Sequence, residues 1–157
     1  MPRLEGKIAV VTGASRGAGR GIALVLGEEG ATVYVTGRSV RGERTADNLR
    51  GTIDRAAEEV AARGGVGIPV RCDHTLDAQV EALFERVEQE QGRLDILVNN
   101  AWGGYEGEDE TFGAPFWEQP IWRWDKMLTV GVRSDMVASY FALPLMLPQR
   151  QGLIVNT

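Results

Sequence analysis

The stretch Val11-Thr-Gly-Ala-Ser-Arg-Gly-Ala-Gly19 constrains this chain more than any other. Before it stand Ile8, Ala9, Val10 and Val11, a short continuous apolar run of the kind seen in a strand buried on both faces. After it, Ile22, Val25 and Leu26 recur at helical spacing and Gly30 marks a helix stop. The glycines therefore stand where a strand turns into a helix. At such a turn the free N–H groups and positive dipole end of the helix hold a phosphate. Gly13 supplies a tight turn, Gly17 close approach by a pyrophosphate, and Gly19 close packing of helix on strand. A surface loop with surplus glycine is the plainer alternative. The flanks and the strand–helix alternation that follows favour dinucleotide binding, with Gly13, Ser15, Arg16, Gly17, Ala18 and Gly19 as its first candidate residues.

Ala31-Thr-Val-Tyr-Val-Thr36 reads as a second strand, rich in β-branched and aromatic residues. In dinucleotide-binding folds the end of this strand meets the adenosine ribose. An acid there bonds the 2′-hydroxyl of NAD; a basic residue accommodates the 2′-phosphate of NADP. Here the end is Gly37-Arg38-Ser39, and the first acid beyond it is Glu43. Arg16, inside the glycine loop, falls close to the same ribose. Permanently charged, bidentate guanidinium groups suit a phosphate dianion, so NADP(H) is favoured over NAD(H). The alternative is a pair of solvated arginines, in a chain whose 17 basic residues include only Lys7 and Lys126 as lysines.

Residues 39–52 form a polar, Arg-rich connection, either a flap over the adenosine end or a surface loop. Ile53, Ala56, Ala57, Val60 and Ala61 mark a helix that Gly64-Gly65 end. Gly67-Ile-Pro-Val-Arg-Cys-Asp73 is a third strand running into an acid. Thr75 is placed to N-cap the next helix, whose core face is Val80, Leu83, Phe84 and Val87 and which Gly92 closes. Leu94-Asp-Ile-Leu-Val-Asn-Asn-Ala101 is a buried strand with paired asparagines at its carboxyl end, where open α/β sheets bind ligands.

The glycine spacing Thr12-Gly13-x-x-x-Gly17-x-Gly19, with Asn99-Asn100-Ala101 after a buried strand, resembles the short-chain dehydrogenase/reductase family across all 157 residues. The resemblance implies an α/β fold, a Rossmann-type doubly wound parallel sheet of order 3-2-1-4-5-6-7. Five of its seven strands are expected here, the fifth being Gly152-Leu-Ile-Val-Asn-Thr157. It also implies that Asp73 caps the adenine edge, although turn chemistry alone explains an Asp at a strand end. By the same resemblance Asn99 bridges neighbouring strands, and the backbone of Asn99, Asn100 and Ala101 runs along the cofactor's ribose. Trp102 stands where the family has glycine and is expected to point away from the cofactor.

One helix is expected from Ile121 to Leu147, with Pro144 and Pro148 kinking or stopping it. Gly131 takes the place of an Asn that, in the family, positions a catalytic lysine through water. The Phe116-Trp-Glu-Gln-Pro and Val130-Gly-Val-Arg133 pattern looks most like the branch called dehydrogenase/reductase member 1. Between Trp102 and Trp124 lie all four tryptophans, with Tyr105, Phe112 and Phe116. They either wall an apolar pocket or pack the start of the helix. Glu106, Glu108, Asp109 and Glu110 among them read as a solvated acidic loop.

In the family a tyrosine exchanges the proton, a lysine four residues on lowers its pKa, and a serine after the fifth strand orients the substrate oxygen. Four residues beyond Tyr34, Tyr105 and Tyr140 stand Arg38, Asp109 and Pro144, and the serine would follow Thr157. No catalytic residue is therefore assigned within residues 1–157, which are expected to form one NAD(P)-binding domain. The substrate class implied by the resemblance is a small carbonyl or alcohol.

Composition narrows the setting. A net charge of −5 with no basic arm argues against nucleic acid. Cys72 and His74 are the only residues of their types, so no disulfide and no Cys- or His-based metal site is expected. The polar start and the lack of a long apolar run predict no membrane span and a cytoplasmic protein. A sheet ending at Leu153, Ile154 and Val155 leaves an apolar edge that predicts a homo-oligomer. Two other readings stay open: an NADP(H)-binding or interaction module without turnover, and an S-adenosylmethionine-dependent methyltransferase. Gly37-Arg38, in place of a strand-end acid, speaks against the latter.

Overall fold

A computed structural model of the chain describes residues 2–45, 48–104, 111 and 113–157. The run Ile8–Val11 forms β1, followed by α1 (Gly17–Glu28) and β2 (Thr32–Gly37). Then come α2 (Ile53–Ala62), β3 (Val66–Arg71), α3 (Asp77–Gln91) and β4 (Ile96–Asn99). After a short turn of 3-10 helix at Phe116–Glu118, α4 (Ile121–Leu128) passes through a single π turn (Thr129–Arg133) into α5 (Ser134–Met146). The last element is β5 (Leu153–Asn156). All five strands are parallel, in the order β3-β2-β1-β4-β5.

Alternation along the strands sorts side chains into two cores. Ile8, Val10, Tyr34 and Leu97 face α3 and α5, meeting Val80, Leu83, Phe84, Val87, Ala138 and Ala142. Ala9, Val11, Val33, Val35 and Val98 face α1 and α2, meeting Ala23, Leu24, Ala56 and Val60. Helices on both faces of a parallel sheet give the doubly wound arrangement expected of the sequence.

Several elements depart from expectation. Val25 is 55 % exposed; Ala23, Leu24 and Gly27 carry the buried face of α1 instead. The helical phase is set by α2, because a Cβ on Gly27 would come within 2.7 Å of Val60 Cγ1. Thr75 does not cap α3, which begins at Asp77 with no side-chain cap. Both its N–H and its hydroxyl donate to Asp73 Oδ1, at 3.0 and 2.7 Å, so the stronger acceptor two residues back has claimed it. The long helix runs through a π turn at Thr129–Arg133 that no proline marks, and it ends at Met146, just before the 3-10 turn that holds Pro148. Pro144 lies inside α5 on an exposed face, where water can serve the carbonyl that the missing N–H leaves unbonded.

Candidate cofactor site

A cleft of ≈ 480 Å³ opens beside the carboxyl ends of β1, β2, β3 and β4, where a doubly wound sheet receives its ligand. Of the residues singled out in sequence, Gly13, Ser15, Arg16, Gly17, Arg38, Asp73, Asn100 and Ala101 line it. Gly19, Asn99 and Ala18 do not. Gly19 and Asn99 are buried behind the wall, and Ala18 is exposed in the first turn of α1.

Two glycines make the loop possible. Gly13 has φ +64, and a Cβ there would lie 2.8 Å from Ala101 Cα. A Cβ on Gly19 would lie 2.3 Å from Asn100 Nδ2 and 2.7 Å from the carbonyl oxygen of Gly13. Asn100 fills that space: its Nδ2 donates to the carbonyls of Thr12 (2.9 Å) and Gly13 (3.2 Å). Thr12 Oγ1 in turn accepts the N–H groups of Asn100 and Ala101, each at 2.8 Å. The asparagine strand and the glycine loop are thus locked into one surface. Thr12 is a working member of this site that spacing alone did not single out.

The first turn of α1 has no capping side-chain hydrogen bond and no acid. Its N–H groups and dipole end are available to an anion, whereas α2 is capped by Thr52, whose hydroxyl accepts from the Arg55 N–H at 3.2 Å. Arg16 Nη2 donates to Ser39 Oγ (2.7 Å) and the Gly51 carbonyl (3.4 Å), which fastens the 39–52 connection against the glycine loop. That connection borders the cleft through Leu49 and Arg50. Arg38 stands exposed at the cleft. Burial raises the Asp73 pKa, but the bonds from Thr75 and the Arg38 charge outweigh it and leave the carboxyl below its usual range.

Behind Asp73, the only histidine bonds Thr36 Oγ1 through Nε2 (2.7 Å) and meets Cys72 Sγ through Nδ1 (3.9 Å). Thr36 Oγ1 donates to the Val11 carbonyl at 3.3 Å, so we assign the proton to His74 Nε2. Burial lowers the His74 pKa to about 4, opposed by Asp73. Burial and Asp73 together push the Cys72 thiol up to about 12. His74 carried no local signal, because its partner Thr36 lies on β2.

Asn99 Nδ2 donates to Asn156 Oδ1 (2.9 Å), Ser139 Oγ (3.1 Å) and the Asp135 carbonyl (3.3 Å), tying β4 to β5 and α5. Burial raises the Asp135 carboxyl to about 6. Trp102 does not turn away from the site. It lines the cleft with its indole beside Gly131, since Gly131 leaves the room that a larger residue would take. Lys126 and Val130 complete that end. Phe116, Trp117 and Trp124 are largely exposed, so among the described tryptophans only Trp102 borders the cleft. Tyr105, the acidic run 106–110 and Phe112 lie outside the described residues. Among the described residues there is no cluster of metal-ligating side chains, and no helix is long and apolar enough to cross a membrane.

The comparisons with known proteins agree with this geometry. The short chain dehydrogenase family model matches residues 7–157. Dehydrogenase/reductase SDR family member 1 of Mus musculus is 46% identical over 153 residues, covering 97% of this chain and 46% of that protein. This chain therefore spans a little under half the length of that relative. A metagenomic short-chain oxidoreductase solved in complex with NADP superposes with a TM-score of 0.80 at 32% identity, covering 98% of this chain and 62% of that one. A 7α-hydroxysteroid dehydrogenase solved with NADH and 7-oxo glycochenodeoxycholic acid gives 0.77 at 30% identity, covering 98% and 53%.

Proposed function

Since the chain belongs to the short-chain dehydrogenase/reductase family, we propose that residues 1–157 form the cofactor-binding part of an oxidoreductase using NADP(H) in preference to NAD(H). The bound nicotinamide would supply the hydride exchanged with a small carbonyl or alcohol. The residues present fit such a group. The uncapped first turn of α1 would receive the pyrophosphate, and Gly13 and Gly17 would let it approach. Asp73 would meet the adenine, and the backbone from Asn99 to Ala101 would follow the ribose. Arg38, aided by Arg16, would hold the 2′-phosphate. We place the protein in the cytoplasm as a homo-oligomer.

The observation that carries the cofactor preference is a guanidinium, not a carboxylate, at the cleft where β2 ends. Titration of NADPH and NADH against Arg38→Asp tests it. NADPH is expected to weaken by roughly a hundredfold and NADH by far less, since both a charge-assisted bond and its sign change. Equal losses would overturn the 2′-phosphate assignment.

A second reading, NADP(H) binding without turnover, draws on the absence of any tyrosine at the cleft among the described residues. Binding of NADPH with no oxidation of it across a panel of aldehydes and ketones favours that reading. The methyltransferase alternative falls with the family assignment.

A further inference from the structure

The cleft runs across the sheet, from Arg38 and Asp73 beside β2 and β3 to Asn100, Ala101 and Trp102 beside β4. An adenosine group at the β2 side leaves the reacting end of a dinucleotide to the β4 side, where a second molecule must reach it. Trp102 borders that end, together with Lys126 of α4 and Val130 of the π turn, four residues apart.

Trp102 is held in place there. A Cβ on Gly131 would lie 3.3 Å from its Cδ1, and a Cβ on Gly104 would lie 3.1 Å from its Cη2. These atoms belong to opposite ends of the indole, so backbone without side chains closes on the ring at both. The segment is fastened as well: Arg123, only 2 % exposed, donates from Nη1 to the Gly104 carbonyl at 2.6 Å. Trp102 nonetheless stays 42 % exposed. An indole already fixed in a cleft loses little freedom when a flat ring stacks on it. Lys126 is exposed and, among the described residues, has no hydrogen-bond or ion-pair partner. The one carboxylate lining the cleft among the described residues, Asp73, lies just beyond β3 at the other end. An uncompensated ammonium beside an aromatic wall favours a ligand that is both flat and anionic.

We propose that Trp102 and Lys126 form the substrate end of the cleft and select an anionic aryl ketone or aldehyde, its ring stacked on Trp102 and its acidic group at Lys126. This rests on the reading of the cleft as an NADP(H) site and narrows the carbonyl compound that meets the cofactor there.

Isothermal titration with 4-acetylbenzoate, with and without saturating NADP⁺, gives the test, since the oxidised cofactor cannot reduce the ketone. The wild-type chain is expected to bind it roughly tenfold tighter than 4-acetylcyclohexanecarboxylate, which keeps the charge but not the flat ring. It should also bind it roughly threefold tighter than methyl 4-acetylbenzoate, which keeps the ring but not the charge. Trp102→Ala should erase the first preference and Lys126→Gln the second. Equal binding of all these ketones by the wild type overturns the proposal without recourse to a variant. So does a preference that survives both substitutions, or a Trp102→Ala protein that loses affinity for NADP⁺ and none for the ketone. Titration of NADP⁺ by itself judges the cofactor reading separately. Saturable NADP⁺ binding without the ring and charge preferences sinks this proposal alone; the preferences without NADP⁺ binding sink the cofactor reading and keep the ketone site.

Discussion

Trp102 and Gly131 depart from the family's motif pattern together, and their contact gives the reason. A Cβ at position 131 would lie 3.3 Å from Cδ1 and 3.7 Å from Nε1 of the indole. Gly131→Asn should therefore press on the Trp102 ring, and adding Trp102→Gly should relieve it. A double-mutant cycle on urea midpoints is expected to show coupling of about 1 kcal/mol; strict additivity would mean the two substitutions arose separately. The other residue to test is Asp135. Its folded pKa of about 6 stands above the ordinary 3.8, so the folded chain keeps a proton that the unfolded chain releases. Stability is then lost as pH rises through this window, fully so above it. With its partial exposure discounted, Asp135→Asn should add about 1 kcal/mol at pH 7.5 and almost nothing at pH 4. An equal gain at both would rule out burial of the charge as the cause. The tight turn at Gly13 was legible in sequence, because its positive φ is a local property of the backbone. Asp95 was not: it is buried while accepting the Ile8 N–H at 2.9 Å and Lys7 Nζ at 3.1 Å, partners 87 and 88 residues away.

Elements were legible where one periodicity ran without competition. The four core positions of α3 follow directly from their spacing, and all four are buried. The phase of α1 was not readable, because close approach of α2 at Gly27 constrains it, and no local spacing marks the π turn. At the carboxyl ends of the strands, His74 joins β2 through Thr36 to β1 at the Val11 carbonyl. Nε2 carries its proton in either charge state, so it is burial of the ring, not this chain of bonds, that disfavours the imidazolium. Above pH 6.5 the histidine is neutral in folded and unfolded chains alike, and its stability contribution is level. As pH falls from 6.5 toward about 4, only the unfolded chain takes up the proton, so stability declines, by roughly 3 kcal/mol at most. His74→Gln should flatten this decline when urea unfolding is followed from pH 7.5 to pH 5. Parallel slopes for the two proteins would mean that His74 protonates freely in the fold.

At the scale of the molecule, the two sheet edges are unlike. On one side β3 carries Pro69, which cannot donate to a further strand. On the other, β5 pairs only with β4 among the described residues and offers Leu-Ile-Val-Asn with no charge or proline to deter pairing. Leu153 is 54 % and Val155 36 % exposed, and α5 leaves Met136, Tyr140 and Leu143 uncovered. The strand count read from sequence anticipated this edge, and with it an exposed apolar surface on the helix before it. Such a surface favours association through β5, whether with another copy or with any further strand. In sedimentation velocity the 157-residue chain is expected to show reversible, concentration-dependent association at tens of micromolar. Val155→Lys sets a charge on the exposed side of β5, while Ile154 keeps the packing against the core. It should shift the distribution toward monomer and leave the melting temperature within about 2 °C, as expected of a surface change. A wild-type chain that sediments as a single monomer over that range would remove β5 as an interface.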